Sequence, residues 1–271
     1  DRIISALGLE GGDIRPKLTP AEHKPLVRDT DGTPAEGAFS YSSVVGMLLY
    51  LAGHSRPDLA YSVNCCARYM FAPRKSHEDA LIRIGQYLKG TRDKGLILTP
   101  TSSVLNVEAY PDADFGGLFG HEQPNDPACV KSRTGFVIKV ANCPVLWKSQ
   151  LQSSKTALST MEAEITALAH CCRELFPIID MVKTLGKIYG LEEQLTQMNV
   201  SIHEDNAGAL PPQFTPRSKW YHIETVWFRE EIVKRGILLK KICTTEQLGD
   251  IFTKGLSKVV FQNLRKKLMG W

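Results

Sequence analysis

Four acidic residues occupy positions from which their carboxylates could act together. They are Asp112 in "YPDAD", Glu164 in "TALSTMEAEITALAHCCRELF", Asp205 in "HEDN" and Asp250 in "QLGDIFTK". Four carboxylates gathered in one place would repel each other strongly, and divalent cations with a preference for oxygen ligands remove that repulsion. Two such ions about 3.5–4 Å apart can activate a water and stabilise the leaving oxygen of a phosphodiester. The four residues therefore indicate metal-dependent phosphodiester chemistry, if folding brings them together.

Glu164 has the most informative position of the four. Each residue of an α-helix advances by about 100°, so the apolar residues that fall within about 60° of Glu164 are Ala157, Met161, Leu168, Cys171 and Leu175. A carboxylate in such a stripe is costly unless it is paired or bound to a cation. A salt bridge to a lysine or arginine is the alternative explanation. Glu162 lies about 160° away on the helix and is predicted to be solvated.

The elements that must position these residues follow from the hydrophobic pattern. After residue 104 the sequence predicts three strands, a helix over 159–189, a strand, a helix, a strand and a helix, which together form a mixed α/β layer. Pro177 is predicted to kink the long helix. Residues 41–90 are predicted as helices and "KGLILTP" as a short strand, whereas the Gly- and Pro-rich residues 10–40 are predicted as an extended tether.

Composition excludes several classes of protein. The 271 residues are 43% hydrophobic, which is typical of one or two globular domains and not of a disordered chain. Seven cysteines without a CxxC spacing indicate free thiols in a reducing compartment and argue against a zinc site. No apolar run reaches membrane-spanning length, so we expect no membrane partner. The first residues, Asp1-Arg2-Ile3, are neither a signal peptide nor an initiator methionine, so we expect an excised part of a longer chain.

The charge is concentrated near the C-terminus. The whole chain carries a formal charge of +4, whereas residues 206–271 hold twelve Lys or Arg against five Asp or Glu. A basic end on a nearly balanced chain suits a polyanionic partner. A solvated helical surface would produce the same bias, and charge alone does not choose between the two.

The ordered motifs resemble a known family. Residues 104–258 contain, in this order, "YPDADFGG", "KSRTGFVIKV", "VLWKSQLQSSKTALSTMEAEITAL", "HEDNAGAL", "RSKW" and "EQLGDIFTKGL", and they resemble the ribonuclease H domain of copia-type (Ty1-like) LTR-retrotransposon polyproteins. The upstream run from "YSSVVGMLLYLAG" to "LIRIGQYLKGT" resembles the segment that joins reverse transcriptase to ribonuclease H in the same polyproteins. The resemblance covers about residues 39–258. It implies a helical connection segment at 39–103 and an RNase H-like domain at 104–258, and composition and periodicity add a tether at 1–38 and a basic C-terminal helix at 259–271.

The resemblance also implies a fold and an activity. The fold is α/β and RNase H-like, with a mixed five-stranded sheet and flanking helices, preceded by a small helical segment. The activity is two-metal cleavage of the RNA strand of RNA–DNA hybrids, with Mg²⁺ as the cofactor and Mn²⁺ as its substitute. The implied catalytic and metal-binding residues are Asp112, Glu164, Asp205 and Asp250. Asp114 competes with Asp112, since both would share one face of a strand, and the motif register favours Asp112.

The expected substrate contacts are mainly to phosphates, so the affinity for a hybrid should fall with salt. The predicted nucleic-acid-binding residues are Lys148, Ser153, Ser154, Asn206, Arg217 and Lys219, of which the serines and the asparagine could read ribose hydroxyls. Further basic candidates are Lys131, Arg133, Lys155, Arg265, Lys266 and Lys267. A solvated surface is the alternative for each basic residue.

Some family features are altered or missing. Trp220 stands where the family often has a histidine, and His222, two places later, could assist product release or be an ordinary helical histidine. The polymerase motif Tyr-x-Asp-Asp is absent, so we expect the polymerase to be an upstream partner domain, with the whole located in the cytoplasm or a virus-like particle. A catalytically decayed nucleic-acid-binding or scaffold module of the same fold is the main alternative. A DDE-type strand-transfer enzyme is a third, against which the fourth acid argues.

Overall fold

The computed structural model describes residues 1–100, 104–152, 156–206 and 223–271, with the backbone alone at 223–226. The helices in these ranges are α1 (Arg2–Ala6), α2 (Tyr41–His54), α3 (Ala60–Ala67), α4 (Lys75–Gly90), α5 (Thr160–Ile188), α6 (Glu192–Thr196), α7 (Ile223–Lys234), α8 (Asp250–Thr253) and α9 (Lys258–Met269). The strands are β1 (Asn106–Asp114), β2 (Arg133–Val140), β3 (Cys143–Leu151), β4 (Asn199–Glu204) and β5 (Leu238–Lys241). None of the helices in the described ranges has the length and apolarity that crossing a lipid bilayer requires.

The chain folds as two compact units. The first comprises Asp1–Ile97, Gly116–Val130 and Lys254–Trp271, and the second comprises Leu98–Phe115 and Lys131–Thr253. The boundaries predicted from the sequence differ from this division, because they placed 116–130 and 254–258 in the RNase H-like domain. They also separated the tether and the C-terminal helix from the helical segment, whereas all three belong to the first unit.

A buried series of hydrogen bonds connects the helices of the first unit. Arg56 pairs with Asp58 through two hydrogen bonds of 2.9 and 2.8 Å. The Tyr87 hydroxyl of α4 donates to the same carboxylate at 2.6 Å, and Arg265 of α9 donates to that hydroxyl at 3.1 Å. Because buried charges are costly unless paired, this series of hydrogen bonds makes α9 an integral part of the first unit.

The segment predicted as a tether is anchored within the first unit. Residues 10–40 contain no helix or strand beyond an isolated bridge from Pro34 to Arg74. However, the backbone N–H of Arg28 donates to both oxygens of the buried Glu122, at 2.9 Å each. Two further backbone N–H groups, at residues 36 and 37, donate to Glu78 at 2.8 and 3.0 Å. Two buried carboxylates thus accept the backbone N–H groups that a neighbouring strand would accept in a sheet.

The prediction of a strand at "KGLILTP" is wrong, since residues 94–100 form none. The backbone N–H of Ile97 donates to the carbonyl of Met269 at 3.1 Å, and the Trp271 indole donates to the carbonyl of Gly95 at 2.7 Å. The segment therefore finds its hydrogen-bond partners at the end of α9 instead of in a sheet.

The second unit is built on one mixed five-stranded sheet with the order β3-β2-β1-β4-β5. β1–β2 and β2–β3 are antiparallel, whereas β1–β4 and β4–β5 are parallel. The sheet and its flanking helices confirm the predicted α/β, RNase H-like fold. The ladder between β1 and β4 ends at Ala109 and Ile202, after which each strand continues to its acidic residue.

Helix α5 packs its apolar stripe on the centre of the sheet. The Ser159 hydroxyl caps the helix by accepting the N–H of Glu162 at 3.2 Å, and the helix continues through Pro177 to Ile188. The buried residues of this core include Leu168, Cys171, Leu175 and Ile179 on the helix and Val107, Ala109, Phe136 and Ile138 on the strands. The helical spacing of these positions places Glu164 at the end of the same stripe.

Candidate cation-binding site

β1 carries Asp112 near its C-terminal end, in register with Gly135 of β2. The Asp112 side chain is buried, and the Thr253 hydroxyl of α8 donates a hydrogen bond to its Oδ2. A neutral donor of this kind orients the carboxylate without neutralising it. The hydrogen bond therefore fixes the position of the Asp112 carboxylate against α8.

Two glycines allow α8 to lie directly against β1 and β2. A Cβ at Gly135 would lie 2.6 Å from Cγ2 of Thr253, and a Cβ at Gly249 would lie 2.5 Å from Cβ of Asp112. Neither distance is compatible with a side chain. The glycine before Asp250 in "QLGDIFTK" is therefore required for the close approach of this segment to Asp112.

The first turns of α5 bring Glu164 to the same place. Ala113 at the end of β1 packs with Ala157, Ala163 and Ala167 in a small apolar cluster. Because these side chains are small, the helix and the strand approach closely. Glu164, next to Ala163, is buried with 5% of its surface exposed, in agreement with its predicted place in the apolar stripe.

Three of the four predicted acids converge. Asp112, Glu164 and Asp205 each offer a carboxylate oxygen, and these oxygens all lie within 4.8 Å of one another. Asp112 and Glu164 are buried, whereas Asp205, just after β4, is partly exposed. Carboxylate oxygens are the ligands that Mg²⁺ and Ca²⁺ prefer, so this cluster is compatible with a divalent cation. Asp114, the alternative to Asp112, is not a member of this group.

The electrostatics of the site show how unfavourable the cluster is without a counter-charge. Burial raises the pKa of Glu164 well above its usual range, and the charges of Asp112, Glu204 and Asp205 raise it further. Its Oε2 has no hydrogen-bond partner among the described residues. A hydrogen bond from the backbone of Ala113 lowers the pKa, but less than burial raises it. A buried carboxylate oxygen that lacks a donor costs free energy that a bound cation would recover.

Glu204 is a member of this acidic neighbourhood that sequence reasoning missed. It is fully buried, its Oε1 accepts the backbone N–H of Asn206 at 3.1 Å, and its Oε2 has no partner among the described residues. Burial raises its pKa to about 8, with smaller contributions from Asp205 and Asp112. The alternation of β4 held the signal, because Val200, Ile202 and Glu204 share the core face of the strand.

Asp250, the fourth predicted acid, lies outside the group of three. It begins α8, is buried, and its N–H donates to the carbonyl of Gln247 at 3.3 Å. Its own carbonyl accepts from the Thr253 hydroxyl at 3.3 Å. Asp250 thus belongs to the segment that touches Asp112, without placing a carboxylate oxygen within the 4.8 Å group.

The predicted nucleic-acid contacts are only partly within the described residues. Lys148 of β3 is partly exposed, and its Nζ lies 3.6 Å from Oε1 of Glu174 of α5. Asn206 directly follows Asp205. Arg133 is buried and donates to the Ser149 hydroxyl at 3.2 Å, which does not fit a surface phosphate contact. Of the other candidates, Lys131 and Arg265 are partly exposed and Lys266 and Lys267 are exposed, and Arg265 donates to the Tyr87 hydroxyl at 3.1 Å. The candidates that lie outside the described residues are Ser153, Ser154, Lys155, Arg217 and Lys219, together with His222.

No protein-family model matches the chain. Several retrotransposon polyproteins are nevertheless similar to it over most of its length. The chain is 33% identical over 258 residues to the retrovirus-related Pol polyprotein from transposon RE2 of Arabidopsis thaliana, covering 94% of this chain and 16% of that protein. It is 30% identical over 280 residues to the corresponding polyprotein from transposon TNT 1-94 of Nicotiana tabacum, covering 100% of this chain and 19% of that protein. It is 26% identical over 235 residues to the Transposon Ty1-DR1 Gag-Pol polyprotein of Saccharomyces cerevisiae, covering 86% of this chain and 13% of that protein.

Proposed function

The chain belongs to the copia-type (Ty1-like) retrotransposon Pol polyproteins and spans less than a fifth of each of the three polyproteins compared above, and we propose that its second unit is their ribonuclease H. It would hydrolyse the RNA strand of RNA–DNA hybrids with the help of divalent cations. The observation that carries this proposal is the convergence of Asp112, Glu164 and Asp205 within 4.8 Å, at the end of a mixed sheet.

The proposed cofactor is Mg²⁺, with Mn²⁺ as a substitute, and Asp112, Glu164 and Asp205 would hold it. When bound, two such ions supply an activated water and stabilise the leaving oxygen. Thr253 orients Asp112 by its hydrogen bond, and the alanine cluster sets the approach of Glu164. Asp250 is the proposed fourth acid, carried by the helix that contacts Asp112.

The proposed substrate surface surrounds this end of the sheet. Lys148 would contact a phosphate, and Asn206, next to Asp205, would read a ribose hydroxyl. The four further contacts predicted from the resemblance are Ser153, Ser154, Arg217 and Lys219. The polymerase domain upstream in the polyprotein is the proposed partner, and the cytoplasm or a virus-like particle is the proposed location.

A cleavage assay tests the proposal. The full chain is incubated with a hybrid labelled on the RNA strand, in Mg²⁺ at low salt, with a DNA duplex of the same sequence as the negative substrate. Glu164→Gln should lower hybrid cleavage by about 1,000-fold, which corresponds to several kcal/mol of transition-state stabilisation. The matched control is Asp180→Asn on the same helix, which changes an exposed carboxylate paired with Arg235 and should leave the rate unchanged. Full activity of Glu164→Gln would reject the assignment.

One observation favours a second function, binding of hybrids without cleavage. Asp250 is not among the carboxylates that lie within 4.8 Å of one another, so the fourth acid is not assembled with the other three. In this case the chain would retain the fold as a nucleic-acid-binding or scaffold module. Hybrid binding without cleavage at every Mg²⁺ and Mn²⁺ concentration would support it, and clear turnover would exclude it.

A further inference from the structure

Gln247 is a fully buried amide at the point where β1 and β4 separate. Its Nε2 donates to the carbonyl of Pro111 at 2.9 Å and to the carbonyl of His203 at 3.3 Å. Its Oε1 accepts the backbone N–H of Gly249 at 3.1 Å. One side chain therefore joins three backbone segments.

Each of these segments carries one of the four predicted acids within two residues of the contact. Pro111 precedes Asp112, His203 precedes Asp205 by two residues, and Gly249 precedes Asp250. The ladder between β1 and β4 ends at Ala109 and Ile202, two residues and one residue before the bridged carbonyls. The Gln247 amide therefore links the two strands just beyond the last residue pair of their hydrogen-bond ladder.

We propose that Gln247 is a positioning residue that sets the spacing of Asp112 and Asp205 and thereby the cation affinity of the site. Both of its donors and its acceptor bind the main chain, so it acts through the acids and not by contact with a cation or a substrate. The effect on cleavage rests on the proposed function, whereas the effect on cation affinity does not.

Loss of the Gln247 amide would leave the ends of β1 and β4 without their bridge. The carbonyls of Pro111 and His203 would lose a buried donor, and two carbonyl oxygens without a donor between them repel each other and attract water. The strand ends would then separate, and the first turn of α8 would lose its anchor at Gly249. Because cation ligands must be held to within about 0.5 Å, a small separation is sufficient to weaken binding.

The test variant is Gln247→Met, which is close in size to the native residue but cannot donate to either carbonyl. Mn²⁺ binding to the full chain is measured by calorimetry at fixed pH, folding by circular dichroism, and hybrid cleavage by steady-state kinetics. Loss of an outer-shell contact typically weakens metal affinity by about 10–100-fold, and we expect the Kd for Mn²⁺ to rise by such a factor. The kcat should fall, the KM for the hybrid should stay unchanged, and raised Mn²⁺ should partly restore kcat, which simple loss of folded protein would not produce.

The matched control is Lys139→Met, which removes another buried polar side chain at the opposite end of β2, where it is bonded to Asn142. It should leave the Kd for Mn²⁺ unchanged. If Gln247→Met does not fold, Gln247→Asn carries the test, because it keeps the amide but is too short to bridge both strands.

The outcomes separate this inference from the proposed function. If the wild-type chain binds Mn²⁺ but cleaves no hybrid, the proposed function fails, and a raised Kd in Gln247→Met still supports the positioning role. If the wild type cleaves and the folded variant has the same Kd and kcat, the positioning role is overturned while the ribonuclease assignment stands. A wild-type chain that binds no Mn²⁺ would overturn both.

Discussion

Replacing Glu204 by glutamine should stabilise the cation-free protein in a pH-dependent way. Burial raises the pKa of this carboxyl from 4.5 to about 8. A group whose folded-state pKa lies above its unfolded-state value contributes stability that is present below about pH 4.5 and is lost as the pH rises to about 8. At about 1.4 kcal/mol for each pH unit, the loss amounts to about 5 kcal/mol at pH 8 as an upper bound.

Urea unfolding of the full chain in EDTA, followed by circular dichroism at pH 5 and pH 8, measures this effect. Glutamine keeps an oxygen that can accept the N–H of Asn206 but cannot ionise. Glu204→Gln should therefore exceed the wild type in its free energy of unfolding by a few kcal/mol at pH 8 and by much less at pH 5.

Glu108→Gln is the matched control on the neighbouring strand. A hydrogen bond from His203 lowers the pKa of Glu108, so this carboxylate stabilises the fold and its removal should not raise stability at pH 8. If Glu204→Gln changed the free energy of unfolding equally at both pH values, or by less than about 1 kcal/mol at pH 8, the buried acidic neighbourhood would be refuted.

Further predictions concern the site and the first unit. Asp112→Asn should abolish Mn²⁺ binding in calorimetry, and Mg²⁺ at a hundredfold excess over Kd should raise the free energy of unfolding by about 2.7 kcal/mol in the wild type only. Gly249→Ala, which forces a methyl group to 2.5 Å from Cβ of Asp112, should cost about 1–3 kcal/mol in urea unfolding and reduce cleavage. Gly46→Ala, with open space around its Cβ in α2, should instead be neutral or stabilising. Glu122→Ala should destabilise the first unit by about 3 kcal/mol, because it removes the carboxylate that holds the backbone of residue 28; equal urea midpoints would contradict this.

Local patterns were sufficient for the main elements and for the burial of Glu164. Helical periodicity alone placed Glu164 in an apolar stripe, and the alternation and order of the strands indicated a mixed α/β layer. The resemblance supplied the motif register that favoured Asp112 over Asp114. These inferences succeed because burial imposes a period on the sequence that can be read without knowing the tertiary contacts.

The rest depended on contacts between distant segments. Gln247 reads as an ordinary polar residue, and its role depends on which strands lie side by side, a matter of sheet order that periodicity does not encode. The sequence motif indicates Asp205, whereas the burial of Glu204 follows from the alternation of β4, whose last residue it is. The prediction of a strand at 94–100 is wrong because the backbone groups of Gly95 and Ile97 bond to residues at the end of α9 instead of to another strand.

The central claim is that Asp112, Glu164 and Asp205 together hold a catalytic divalent cation. Anomalous diffraction from crystals of the full chain grown with Mn²⁺ tests it most directly. We expect a manganese peak within coordination distance, about 2.0–2.6 Å, of oxygens from all three carboxylates. A clear peak elsewhere with none among these three side chains would contradict the account.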